Sequence, residues 1–120
     1  MNATSNNPLK SEFADDPDMK EILAEFVAQL PLQVSRLSEM LSQNNLDDLR
    51  RTVHQLKGSG GGYGFSAITE VAARSEQGIK AAAPLETVAA QVQSLIELIR
   101  RVEGYEPEKE KCNAAENIGH

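Results

Sequence analysis

His54 stands in the run His54-Gln55-Leu56-Lys57-Gly58-Ser59, with a lysine and a glycine about one helical turn further on. The chemistry open to this set is nucleophilic. A neutral imidazole attacks through one nitrogen while the other donates its proton to an acceptor. Glycine costs a helix interior about 1 kcal/mol relative to alanine, so a glycine beside a histidine asks for a reason. Close approach of another backbone, or of a phosphoryl group, to the imidazole supplies one. On that reading His54 carries a phosphoryl group covalently. Such a group holds close to two negative charges, and Lys57 and Arg50, which flank His54 at i+3 and i−4, could pair with it.

The nucleophile needs an orienter. A carboxylate on a neighbouring helix would push electron density toward the attacking nitrogen and then stabilise the charged product. Glu76 and Glu70 qualify, with Gln77 as a neutral substitute, and spacing alone does not choose among them. The plainer account is that a lone histidine on a helix surface is solvated, and that Arg50, Arg51 and Lys57 form an ordinary charged face. The glycines resist it. Gly58, Gly60, Gly61, Gly62 and Gly64 crowd into seven positions. Gly62 and Gly64 fit a helix end running into a loop, but Gly58 comes too early if the helix reaches Gly60.

Several elements must position this set. Residues 1–16 are rich in Asn, Ser, Asp and Pro and read as a flexible tail, with Asp16 or Asp18 placed to cap a helix beside Pro17. Ile22, Leu23, Phe26, Val27 and Leu30 then recur at helical spacing, and Val34, Leu37, Met40 and Leu41 continue the pattern beyond Pro31. The first segment is therefore either one helix kinked at Pro31 or two helices meeting there. A second helix is predicted from Leu46 to about Gly60, with Leu46, Leu49, Val53 and Leu56 inward. A third starts near Ser66 and carries Ile68, Val71, Ala72, Ser75 and Ile79. The fourth runs from Leu85 to about Val102, and Gly104 stops it. Residues 105–120 are charged and aperiodic and read as a second flexible tail. The sum is an all-α, antiparallel four-helix bundle over residues 17–104. On a wheel of about 100° per residue, His54 falls roughly 120° from the centre of the second helix's apolar stripe. Gly58 and Gly61 follow one and two turns along the same outward face, beside the imidazole.

Composition sets the outer limits. The 120 residues suit one domain with a modest core, and 4% aromatics with no Trp favour a core of Leu, Ile, Val and Ala between helices. A formal charge of −6 argues against a nucleic-acid partner. Cys112 is the only cysteine, so neither an intrachain disulfide nor a Cys-based zinc site is expected. With His54 and His120 the only histidines, and no paired Glu-x-x-His motifs, a metal protein is a poor reading. Met1 to Pro8 contains no apolar leader segment, and no apolar run approaches about 18 residues. A cytoplasmic protein without a membrane partner is the expectation.

These residues resemble the histidine-containing phosphotransfer (HPt) domains of multistep two-component relays. The resemblance rests on His54-Gln55-Leu56-Lys57-Gly58-Ser59 followed by Gly64, and on Glu70-Val71-Ala72-Ala73-Arg74-Ser75-Glu76. Phe26, Leu30-Pro31 and Leu37 are similar to that family's first long helix, and Leu46-Asp47-Asp48-Leu49 to the lead-in to its histidine helix. It spans roughly residues 18–102. The stretch Gly60-Gly61-Gly62-Tyr63 is more glycine-rich than in many members. The resemblance implies a four-helix bundle in which His54 accepts and donates a phosphoryl group on the nitrogen remote from the backbone. Lys57 would stabilise that group, and Gly58, with Arg50 and Gly61, would lie on the face where a receiver domain docks. Glu76, at His54 + 22, matches the position of the family's imidazole-binding Glu or Gln, and is selected on that basis over Glu70 and Gln77.

The implied partners are response-regulator receiver domains, a histidine kinase, or both, with the chain itself a monomer. It is expected to be a phosphoryl carrier and not an enzyme with a nucleotide site. Lys57 precedes the glycines, unlike a GxxxxGK[ST] loop, and the G-x-G-x-x-A match at Gly62–Ala67 follows a helix instead of a strand. No cofactor is expected, and any Mg2+ would come with the receiver. Two alternatives share the fold. One is the phosphoacceptor domain of a chemotaxis-type histidine kinase. The other is a helical module that binds a receiver without phosphotransfer, against which His54, Lys57, Gly58 and Glu76 together speak.

Overall fold

The apolar periodicities become four helices: α1 (Lys20–Ser42), α2 (Leu46–Gly62), α3 (Ser66–Lys80) and α4 (Leu85–Arg100). The computed structural model describes residues 8–110. Cys112, His120 and the outer parts of both expected tails lie outside the described residues. Connections of three to four residues make successive helices antiparallel. The core draws on all four: Leu30, Val34 and Leu37 from α1, Leu49, Val53 and Leu56 from α2, Ile68 and Ala72 from α3, and the whole Val88–Ile99 stripe of α4. Ile22, at the edge of the α1 stripe, is 43% exposed. No helix among the described residues is long and apolar enough to cross a membrane.

α1 is one helix, with Pro31 inside it. Pro31 has no N–H for the Val27 carbonyl, a loss that breaks helices without other support. Here Leu30, Pro31, Val34 and Leu37 are all buried, and burying each large apolar side chain stabilises by about 1.5–3 kcal/mol. Packing on both sides of the proline outweighs the local penalty.

α2 begins at Asn45, whose side chain accepts from the Asp48 amide at 3.4 Å and donates to the Asp48 carboxylate at 2.9 Å. Asp47 and Asp48 also lie in the first turn, where the helix dipole favours negative charge. The helix runs to Gly62, two residues beyond the expected end. Tertiary contact explains the extension. Gly60 is buried against α3, where a Cβ would lie 2.9 Å from Ile68 Cγ2 and 3.2 Å from Thr69 Oγ1. The Thr69 hydroxyl donates to the Lys57 carbonyl at 2.6 Å, bracing the same stretch. Gly64 then turns the chain with φ +87°, and Phe65 is buried as α3 begins.

Residues read as tails are partly built into the domain. Leu9 accepts from Glu103 N at 2.9 Å and donates to Arg101 O at 2.7 Å, making a parallel bridge beside Val102. Ser11 Oγ donates to Tyr63 O at 2.6 Å, and Glu12 N to Gly64 O at 2.9 Å. Asp16 caps a short 3-10 turn, Pro17–Met19, that leads into α1. At the other end Glu110 receives a bidentate pair from Arg100, both bonds at 2.8 Å, and the Tyr105 hydroxyl at 2.5 Å. Within the stretches read as flexible tails, backbone pairing at Leu9 and Glu12, the Ser11 hydroxyl and the Arg100–Glu110 ion pair connect the described residues to the bundle. On α1, Phe26 stacks on Tyr63 with ring centroids 4.4 Å apart, tying α1 to the end of α2.

Gly60 and Gly58 should therefore respond oppositely to substitution. Gly60→Val should destabilise by about 1–3 kcal/mol through overpacking against α3. Nothing lies within 4 Å of a Cβ at Gly58, so Gly58→Ala should be neutral or stabilise by about 0.4–1 kcal/mol. Urea unfolding of both variants checks this, and equal midpoints would reject the close-approach role of Gly60.

Candidate functional site

His54 lies mid-helix on α2, on the outward face its spacing predicts, with its side chain 60% exposed. One nitrogen is nonetheless fixed: Nδ1 stands 2.8 Å from Glu76 Oε2 on α3. Glu76 is the reverse case, a carboxylate only 4% exposed that reaches the surface through its partners. Lys57 Nζ meets its other oxygen, Oε1, at 2.8 Å. Lys80 Nζ, one turn further along α3, stands 3.6 Å from Oε2. Three nitrogens thus converge on two carboxylate oxygens.

The electrostatics follow from that convergence. The hydrogen bond from Lys57 is the main influence holding the Glu76 carboxyl down at about 2, from an ordinary 4.5. Burial opposes it, while the His54 hydrogen bond and the charges of Lys57 and Lys80 reinforce it. Glu76 is therefore an anion and can only accept, so Nδ1 carries the imidazole proton. In the neutral form of the ring Nε2 is therefore the nitrogen with the lone pair, and no hydrogen bond engages it among the described residues. The result is an imidazole fixed at one nitrogen by a buried carboxylate and open on its other side.

The other residues singled out in the sequence divide. Lys57 and Glu76 are brought to His54, whereas Glu70 and Gln77 are exposed and neither bonds to the imidazole. Arg50 is drawn instead to Asp47 at 3.6 Å, outside the Glu76 cluster. Gly58 is exposed on the open side of α2. Gly61 is exposed too, but a Cβ there would stand 3.1 Å from Thr69 Oγ1, so it backs onto α3. Beside this face a groove between α1 and α2 is lined by Phe26, Leu30, Gln33, Gln55, Ser59 and Tyr63.

Two contributors escaped the sequence reading. Lys80 follows Glu76 at i+4, a spacing that marks a helical ion pair and was available as a signal. Thr69 braces Lys57 across two helices, which no local pattern encodes.

The sequence model of the family described as "Hpt domain" matches residues 21–105. The chain belongs to that family. Comparisons with curated proteins and with solved structures returned no significant match. An Hpt domain is a phosphotransfer module of phosphorelay signalling, and such domains interact with receiver domains and kinases. The matched span contains α2, α3, α4, all of α1 but its first residue, and the whole cluster around Glu76.

The depressed Glu76 carboxyl makes a prediction about acid stability. Between pH 4.5 and about 2 the unfolded chain binds more protons at this position than the folded one. Stability from Glu76 is thus present above pH 4.5 and is lost as pH falls through about 2. The difference in unfolding free energy between wild type and Glu76→Gln should narrow as pH falls across that window. A gap independent of pH would show that the ionised carboxylate is not what stabilises the pairing of α2 and α3.

Proposed function

We propose that His54 is the phosphoacceptor of this Hpt domain, taking a phosphoryl group from a receiver aspartyl phosphate or a kinase and passing it to a receiver aspartate. The observation that supports this best is the one-sided imidazole: Nδ1 is held by a buried carboxylate while the rest of the ring stands open. In transfer from a receiver, the Nε2–phosphorus bond forms as the aspartyl oxygen–phosphorus bond breaks. The receiver regains a carboxylate, and the imidazole becomes a cation whose Nδ1–H remains on Glu76. Glu76 so stabilises charge that appears only as the bond forms, the kind of stabilisation that accelerates transfer. Lys57 is placed to pair with the incoming phosphoryl oxygens.

Gly58 supports the same reading. Gly60 has a packing reason to be glycine; Gly58, in the helix interior, has open space where a side chain would stand. Gly62 is equally open, but at the last residue of α2 glycine costs little. An otherwise unexplained glycine one turn from the nucleophile leaves room for a receiver's loops. Gly61 and Arg50, on the same outward side of α2, would border that docking face.

Phosphorylated receiver domains should transfer label to the wild type and not to His54→Gln, and the label should be acid-labile and base-stable. Wild-type protein that is folded and binds receivers yet takes no label from receiver or kinase would sink the proposal. Glu76→Ala should slow transfer by about 10–100-fold or more, 10–100-fold being the scale by which losing the partner of a metal-bound imidazole lowers activity, while receiver binding persists. Gly58→Gln should fold at least as stably as wild type yet transfer more slowly; normal transfer in that variant would reject the docking role of this position.

A further inference from the structure

Glu76 has three nitrogens around its two oxygens, and one of them stands back. Lys57 occupies Oε1 and His54 occupies Oε2, both at 2.8 Å, and Lys80 waits at 3.6 Å from Oε2. That distance is within ion-pair range but too long for a good hydrogen bond. Lys80 is 53% exposed on a flexible four-carbon stem. Asp47, the nearby carboxylate that might draw it away, is already claimed by Arg50 at 3.6 Å and Arg51 at 3.1 Å. Arg50, Asp47 and Lys80 border one shallow surface depression with Leu46 and Ile79.

We propose that Lys80 is a positioning residue that takes over Glu76 when Lys57 swings onto the phosphoryl group of His54. This rests on the reading of His54 as phosphoacceptor. Lys57 cannot serve two anions equally. A phosphoryl group on Nε2 brings close to two negative charges within its reach, and every shift toward that group weakens its bond to Oε1. Glu76, only 4% exposed, has little water to replace the lost donor, and a buried carboxylate stripped of a partner is costly. Lys80 needs to move only a few tenths of an ångström to turn its loose ion pair with Oε2 into a hydrogen bond beside that of His54, which keeps one ammonium bound to the carboxylate while Lys57 leaves Oε1. The exchange leaves Glu76 with an imidazolium and one ammonium, as before phosphorylation it had an imidazole and one close ammonium. Lys80 therefore favours the phosphorylated state over the free state, and its effect belongs in the transfer equilibrium.

The test is the equilibrium constant for phosphoryl exchange between a phosphorylated receiver and the full chain, which reads the same however slow a variant is. Wild type, Lys80→Met, Lys80→Arg, Lys57→Met and the Lys57→Met/Lys80→Met double variant are compared, with Arg74→Met, exposed elsewhere on α3, as the control for lost charge. Lys80→Met should shift the equilibrium toward the receiver by about three- to fivefold, the scale of a partly exposed ion pair. Lys80→Arg should restore it and Arg74→Met should leave it unmoved. In the Lys57→Met background no ammonium is handed over, so Lys80→Met should add no shift. An unmoved equilibrium in Lys80→Met overturns the inference, as does an equal shift with and without Lys57, which would make Lys80 a general charge. In both cases wild type still takes label on His54; wild type that takes none fails the phosphoacceptor reading itself, and this inference falls with it.

Discussion

A carboxylate buried between two helices is the constraint around which the rest of this domain is arranged. Glu76 is an anion with almost no access to water, and an anion so placed persists only where donors replace its hydration. Two of its donors, His54 and Lys57, come from α2, so α2 must approach α3 closely and in one register. Gly60 makes the approach possible by presenting no side chain to Ile68, and Thr69 holds the register by donating to the Lys57 carbonyl. The α2–α3 pair is accordingly the most extensively packed in the bundle. Orientation of the imidazole and packing of the two helices are one interaction seen from two sides.

The segment before α1, with Phe26, braces the far end of α2, and Leu9 ties it to the end of α4. Leu9, Ser11 and Glu12 bond to the backbone at Arg101, Glu103, Tyr63 and Gly64, and Phe26 stacks on Tyr63. Gly64 must be glycine there for two reasons. Its φ is +87°, and a Cβ would press on Ser11 Oγ, the Glu12 amide at 2.9 Å and the Phe13 ring. The turn after the histidine helix is thus clasped by the segment before α1. After α4, Arg100 lowers the Glu110 carboxyl and Glu110 raises the guanidinium, while burial first and Glu110 second push the Tyr105 phenol up against the opposing effect of Arg100. These contacts make residues 8–110 one body with the bundle.

How much of this was legible depended on the range of the interaction. The four helices, the turn at Ala81–Pro84 and the outward face of His54 follow from period and breakers, which are local. The choice among Glu70, Glu76 and Gln77 did not follow from spacing as it was weighed, although Ile68, Ala72 and Glu76 form one i, i+4 row and two of the three are core residues. Pro31 read as an interruption because its penalty is local while the packing that offsets it is not. The segments at 8–16 and 105–110 are polar and carry no period. Ser11 and Tyr63 are 52 residues apart, and nothing near either residue announces the other.

The site is built from charge on an exposed helix face. The chain as a whole is at −6, a poor field for receiving a phosphoryl dianion. Around His54 the sign is reversed. Arg50 and Arg51 are offset by Asp47 and Asp48, but Lys57 and Lys80 face only one carboxylate, leaving one net positive charge beside the imidazole. On the proposed role of His54, a phosphoryl group of nearly two negative charges on Nε2 would give a neutral ring one positive charge and bring the cluster to about neutral. Neither state is strongly charged. Without Glu76 nothing in the cluster would steady an imidazolium. On the proposed role, a group that must be both taken and surrendered is served by two states that are both close to neutral, and one carboxylate with two lysines around one histidine would provide them.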